Sequence, residues 1–299
     1  MSSAKTVIEQ YLKISDPLCL LTAERFDVMA KYIYAKYRQK GIDATWHREL
    51  YRQHLAVWNN FKEQGEHTGQ HKEGLEVFLN DFHLLIDSVK RAGFSPAQSR
   101  LWVEEQGNLI NGGHRLATAI LHQMPLFCEI QPAKKGQYHC SWDYFKNKTD
   151  FMPTGLSPES LDVMALEYVR LKRNTYVVSV FPRAAGHDRD ICDILNEVGQ
   201  IVYEKQLTFV KNGLFNFVKI LYEGESWAGN YSNRFAGVRE KTNLCSSETS
   251  EMVRLFLLES DEPHKLVVAK ELIRDIFKAD KHSVHINDTH DETLRIAQA

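Results

Sequence analysis

His285 stands in Ser283-Val284-His285-Ile286, a run that alternates small or polar with apolar residues as a short strand does. Asn287-Asp288-Thr289 then breaks the strand and caps a helix, and Glu292, three residues after Thr289, has the spacing of a capping box. His285 thus falls at a strand exit before a helix N-terminus, where free N–H groups and a positive dipole end suit a phosphate. A neutral imidazole there can act as nucleophile, base or metal ligand. The simpler reading is that a lone histidine in a strand–turn–helix packs or hydrogen-bonds, and the residues alone leave both open.

Asn111-Gly112-Gly113-His114-Arg115 is a second stretch with chemical potential. Two glycines let the backbone turn sharply into a helix, whose free N–H groups can hold a phosphate together with Arg115. The plainer alternative is a Gly-rich turn with Arg115 paired to a local carboxylate. His47, His54, His67, His71 and His83 follow no metal-ligand spacing and read as exposed or capping residues.

These residues need elements to position them. Residues 1 to about 92 read as helical. Ala23 to Arg38 places Phe26, Met29, Ala30, Ile33, Tyr34 and Tyr37 on one face. Thr45 to Gln64 is a second helix, Gly65 to His71 a loop, and Leu75 to Ala92 a third helix stopped by Gly93. Strands follow around Ser99 to Val103, at Asn108 to Ile110 after a turn at Glu104 to Gly107, and at Leu126 to Ile130. The helix Leu116 to His122 lies between the last two. Ala133 to Pro158 is a polar, aromatic connector that places a domain boundary near 150 to 172, and Ser157 caps a helix from Pro158 to Lys172. Beyond it, β and α alternate. The order is strand Tyr176 to Phe181, helix Asp188 to Val198, strand Gln200 to Lys205, helix Asn212 to Glu223 and strand Glu251 to Leu258. A strand entering a helix over Lys265 to Phe277 and the His285 element complete it.

The chain has 299 residues, enough for two domains, and its 43% hydrophobic and 25% charged content is that of a soluble globular protein. A net charge of −2 gives no electrostatic case for a nucleic-acid or membrane partner. Five scattered cysteines with no Cys-x-x-Cys argue against structural zinc and a disulfide framework. Val7-Ile8-Glu9-Gln10-Tyr11-Leu12 is no signal-peptide core, and no apolar run approaches a membrane span. The expectation is a cytoplasmic protein.

Ile273-Arg274-Asp275-Ile276-Phe277, a short gap, His285-Ile286-Asn287-Asp288-Thr289 and an acidic helix start resemble the C-terminal signature of nucleoside diphosphate kinases. The resemblance implies that His285 carries a phosphoryl group, that Arg274 contacts it, and that Asp288-Thr289 stand for the family's Asp-Ser pair. The family's βαββαβ ferredoxin-like core matches the element order expected from 176 to 297. Phe181 stands where the family has a phosphate-binding lysine, which leaves that charge to Lys241, Lys270 or Arg183. Ile286 and His282 replace the family's glycine and asparagine around the histidine, and 229–250 align poorly with its nucleotide-capping region. The stretch Leu84 to Ile130, with Gly113-His114-Arg115 opening an Ala-bearing helix, resembles the ParB/sulfiredoxin-like superfamily. That resemblance implies nucleotide phosphate at Gly113, His114 and Arg115.

The reading is an α+β chain. A helical region (1–76) leads into a ParB/sulfiredoxin-like α/β domain (77–132), a connector (133–172) and a ferredoxin-like, nucleoside diphosphate kinase-like domain (173–299). The expected function is a nucleotide-dependent phosphotransferase, a kinase, acting through phosphohistidine at His285 on a small-molecule acceptor. Arg274 and Asp288 assist, and Thr289 and Lys270 join Gly113, His114 and Arg115 in holding phosphate. ATP or another nucleotide is the donor, and Mg2+ is implied by triphosphate chemistry. The kinase resemblance also implies a homo-oligomer. A non-catalytic nucleotide sensor and a ParB-like nucleotide-gated DNA-binding protein are the alternatives.

Overall fold

The computed structural model describes residues 12–42, 45–64, 71–96, 100–131, 140–147 and 154–299. The chain forms two units, Met1–Met164 and Ala165–Ala299. In the first, the order is β1 (Leu12–Ile14), a 3-10 turn (Pro17–Leu20), α1 (Asp27–Gln39), α2 (Thr45–Asn59), β2 (Lys62–Gln64), β3 (His71–Glu73) and α3 (Leu75–Ala92). There follow β4 (Leu101–Val103), β5 (Leu109–Asn111), α4 (Gly113–His122), β6 (Leu126–Ile130) and α5 (Trp142–Lys146). The helix α6 (Pro158–Leu171) crosses the division between the units. Strands lie in the order β1-β6-β4-β5, with β4 parallel to β6 and the other pairs antiparallel.

The apolar stripe of α3 explains the core of this unit. Phe78, Leu79, Phe82, Ile86 and Val89 recur at three- and four-residue spacings and are buried. Tyr34 and Ala35 of α1 and Tyr51 and Leu55 of α2 pack against them. Each large apolar side chain buried this way contributes about 2–3 kcal/mol, which outweighs the modest helix propensity of the aromatic residues. Gly93, with φ +71°, ends α3 and donates its N–H to the carbonyl of Val89 at 2.8 Å.

Three sequence expectations need correction here. The N-terminal region is not wholly helical: Leu12–Ile14 forms an edge strand on β6, a pairing across more than 110 residues that local periodicity does not report. The second helix stops at Asn59, and Lys62–Gln64 pairs antiparallel with His71–Glu73. Asn60 and Phe61 take positive φ values, which breaks the helix without any glycine or proline to announce it. His47 and His54 are buried rather than exposed, whereas His71 is exposed and His67 lies outside the described residues.

The second unit runs β7 (Thr175–Val180), α7 (Asp188–Val198), β8 (Gln200–Thr208), α8 (Gly213–Leu221), α9 (Ala236–Cys245), β9 (Met252–Glu259), α10 (Pro263–Phe277), β10 (Val284–Ile286) and α11 (His290–Ala297). Its sheet is antiparallel throughout, in the order β10-β7-β9-β8. Val178, Val180, Phe256, Leu258, Val284 and Ile286 point to one face, where Ile191 and Leu195 of α7 and Leu266 and Ile273 of α10 complete a core. Strand alternation sends Ser179 and His285 to the opposite face.

Lys265 to Phe277 is helical throughout, not a strand entering a helix. Pro263 at the first turn presets φ, and Leu266, Ala269 and Ile273 supply a buried stripe. Val267 and Val268, which suggest a strand, are each 56% exposed. No helix among the described residues is long and apolar enough to cross a membrane.

Candidate functional site

His285 sits at the centre of β10, an edge strand, opposite Ser179 of β7. Its position is fixed from the turn that follows. Asn287, 1% exposed, accepts from the Val177 N–H at 2.6 Å and donates to the Thr289 carbonyl at 2.6 Å and to Thr293 Oγ1 at 2.8 Å. The Thr293 hydroxyl then donates to the Thr175 carbonyl at 2.7 Å. This chain of bonds ties the start of α11 to β7 and so holds the strand exit in register. Thr289 is the N-cap of α11, with the complete capping box to Glu292 that the spacing predicts.

The His285 ring meets the Tyr222 ring edge-on, with centroids 4.8 Å apart. Its nitrogens form no hydrogen bond among the described residues, so one of them is free to attack an electrophile. Burial, assisted by the charge of Lys270, pushes its pKa down to about 4. The imidazole is therefore neutral at physiological pH, the form that a nucleophile requires. The Ser179 hydroxyl, directly opposite in the ladder, is buried without a partner.

Cations gather around this ring. Lys241 of α9, 6% exposed, donates to the Lys281 carbonyl and lies 3.3 Å from His282 Nδ1. Its ammonium is 5.5 Å from the Tyr222 ring centre and 5.7 Å from that of Phe181. Burial lowers the Lys241 pKa, and the charges of Lys281 and Arg274 add to that fall. Arg274 pairs with Glu271 at 2.6 Å, while its buried Nε has no partner. Lys270 reaches the exposed Asp288 carboxylate at 3.4 Å. Both ion pairs have an exposed carboxylate and are weak enough for a phosphate to displace.

The candidate residues therefore fall into two groups. Lys270 acts on His285 at one strand exit, and Arg274 acts on Tyr222 and Lys241, which lie at the same site. Asp288 and Thr289 lie beside it, but neither hydrogen-bonds the imidazole; Asp288 faces Lys270 and Thr289 is used by the cap. Gly113, His114 and Arg115 do not converge. The Cα of Gly113 faces buried charges of α1, and a Cβ there would lie 3.0 Å from Asp27 Oδ2. His114 Nε2 shares a 2.7 Å hydrogen bond with the Tyr51 hydroxyl, and burial holds its pKa well below the usual range. Arg115 donates to the Arg100 carbonyl at the start of β4. Gly112 takes φ +109° where any Cβ would strike Leu101, so this turn requires glycine.

Sequence reasoning passed over Ser179 and Tyr222 as site residues, and gave Asn287 only a part in breaking the strand. A serine inside Val177-Val178-Ser179-Val180-Phe181 is a polar break in an apolar run and was a usable signal. Tyr222 carries no local mark, and the bond from Asn287 to Val177 spans a distance in sequence that the local pattern does not report. Among the described residues, no group of three or more His, Cys, Asp or Glu side chains could hold a metal ion. No family model, curated protein or solved structure matches this chain.

Proposed function

We propose that the second unit is a nucleotide-dependent phosphotransferase with a ferredoxin-like, nucleoside diphosphate kinase-like arrangement. Support for the arrangement comes from the β10-β7-β9-β8 order and from α8 and α9 standing between the second and third strands. The observation that carries the activity is a neutral, hydrogen-bond-free His285 ring beside Lys241 and Lys270, with Arg274 in the field of Lys241.

In the first step, an imidazole nitrogen of His285 attacks the γ-phosphorus, the bond to the β,γ-bridging oxygen breaks, and the nucleoside diphosphate leaves. Lys241, Lys270 and Arg274 balance charge on the phosphoryl oxygens, and Tyr222 holds the ring plane. In the second step, a hydroxyl oxygen of a small-molecule acceptor attacks phosphorus, the P–N bond breaks, and the hydroxyl proton passes to solvent. The imidazole returns neutral. Phe181 leaves no cation on β7, and Lys241 brings one from α9 to the same ring.

Incubation with γ-labelled ATP and Mg2+ tests this. Wild type is expected to take up acid-labile, alkali-stable label that His285→Ala does not. Absence of label in wild type with each common nucleoside triphosphate would refute phosphotransfer at His285.

A further inference from the structure

In the first unit, buried charge is paired internally: Asp27 holds both Arg25 and Lys31. The second unit leaves two facing groups unsatisfied. Ser179 is fully buried, and its hydroxyl has no hydrogen-bond partner among the described residues. His285 is its direct partner across the β7–β10 ladder, and the imidazole is likewise unbonded among those residues. A buried hydroxyl without a partner costs more than an ordinary hydrogen bond contributes, so its place beside a reactive ring needs a physical cause.

The neighbours of Ser179 narrow the choice. On the other side of β7 it faces Leu255 of β9, and the residues two along its own strand are Val177 and Phe181. None of these has a polar side-chain atom. Diagonal to it on β10 stand Ser283 and Asn287, and both are committed. The Ser283 hydroxyl donates to the Asp280 carbonyl at 2.7 Å, and the Asn287 amide bonds Val177, Thr289 and Thr293. Among these neighbours only the His285 imidazole is uncommitted.

Opposed residues of an antiparallel pair share a face, with Cβ atoms about 4.5–5.5 Å apart. The serine oxygen is bonded directly to its Cβ. Nδ1 adjoins the ring carbon that carries the His285 Cβ, whereas Nε2 lies at the far end of the ring. Rotation about one side-chain bond turns the hydroxyl towards Nδ1, and it gives up no hydrogen bond in turning. We propose that Ser179 is a positioning residue whose oxygen accepts the Nδ1 proton of His285, so that the lone pair lies on Nε2. Lys241 and Lys270 act on the ring in the same sense, because a cation attracts a lone pair and repels an N–H. The choice of attacking nitrogen rests on the phosphotransferase reading; the tautomer does not. In that reaction Nε2 bonds to phosphorus as the bridging oxygen leaves, and Nδ1 keeps its proton throughout. The ring is cationic only while it carries the phosphoryl group, and breaking the P–N bond returns it neutral.

The test reads two-bond 1H–15N correlations of the full chain labelled with 15N-histidine near neutral pH. The chain has 13 histidines, and the pattern of His285 is the one that His285→Gln removes. Wild type should show a protonated Nδ1 and an unprotonated Nε2. Ser179→Ala should move the proton to Nε2, and Ser179→Thr, which keeps a hydroxyl, should retain the wild-type pattern. A serine that only fills space would leave the proton where it is. A protonated Nε2 in wild type, or a protonated Nδ1 that persists in Ser179→Ala, would overturn the proposal, and the first of these needs no variant to fold. Separation of the phosphohistidine isomers after incubation with γ-labelled ATP gives a second readout. Label on Nε2, formed about tenfold more slowly in Ser179→Ala, supports the role. Label on Nδ1 would overturn it and leave phosphotransfer standing. A Ser179-dependent tautomer in a wild type that takes up no label would uphold the role of the serine and refute phosphotransfer.

Discussion

The two units use one device, a strand that turns into a helix beside a neutral histidine, and they finish it differently. At β5–α4, His114 is bonded to Tyr51 and packed on Phe82, and the helix's positive end faces the buried carboxylate of Asp27. At β10–α11, the helix end is closed by Thr289 and Glu292 from its own capping box, and His285 touches Tyr222 without a hydrogen bond. Burial depresses both imidazole pKa values, so the shift does not separate the two roles. Hydrogen bonding does: His114 is an anchor, and His285 is available.

The contrast between the carboxylates is the largest effect to break. Asp27→Asn leaves Arg25 and Lys31 buried with no counter-charge and should cost about 3–5 kcal/mol in denaturant unfolding. Asp288→Asn, which alters an exposed pair, should change stability by less than about 1 kcal/mol. Equal effects would mean that the Asp27 cluster is not the buried network described here.

Lys241→Met comes next. Removal of one preorganised cation should slow phosphohistidine formation about 100-fold, as read by rapid-quench labelling. An unchanged rate would detach Lys241 from the His285 site.

The pH dependence sharpens the role of His285. Its folded pKa of about 4 lies below the ordinary 6.5, so the unfolded chain binds the extra proton first. This residue's contribution to stability is complete above pH 6.5 and drains away as pH falls towards 4. Labelling should accordingly persist through pH 5 and fall on an acid limb near 4, and Lys270→Met, which removes a repelling charge, should move that limb upward. A wild-type limb at 6.5 would show an exposed, unshifted ring. Thr289→Ala, which removes an N-cap, should cost about 1 kcal/mol while label is retained.

Local signals were legible. Gly93 and the apolar stripe gave α3 its bounds, and Thr289 with Glu292 announced α11. Leu12–Ile14 was not legible, because its partner Leu126–Ile130 lies far along the chain. Val267 and Val268 misled, since β-branched residues on a solvent face say little once Leu266, Ala269 and Ile273 fix the helix. The His285 strand exit could be read from spacing and Lys241 was one of three candidate cations, whereas Tyr222 and Ser179 joined the site only through tertiary packing. Asp27 and Lys31 were visible as charges four apart beside the apolar face of α1, but their burial was not.

The most direct measurement maps the phosphorylated residue by mass spectrometry of peptides from wild-type protein quenched at alkaline pH after incubation with ATP and Mg2+. The account predicts a single phosphoryl group on the peptide that carries His285, with the peptides of His54 and His114 unmodified. Phosphate on another histidine, or on none, would contradict it.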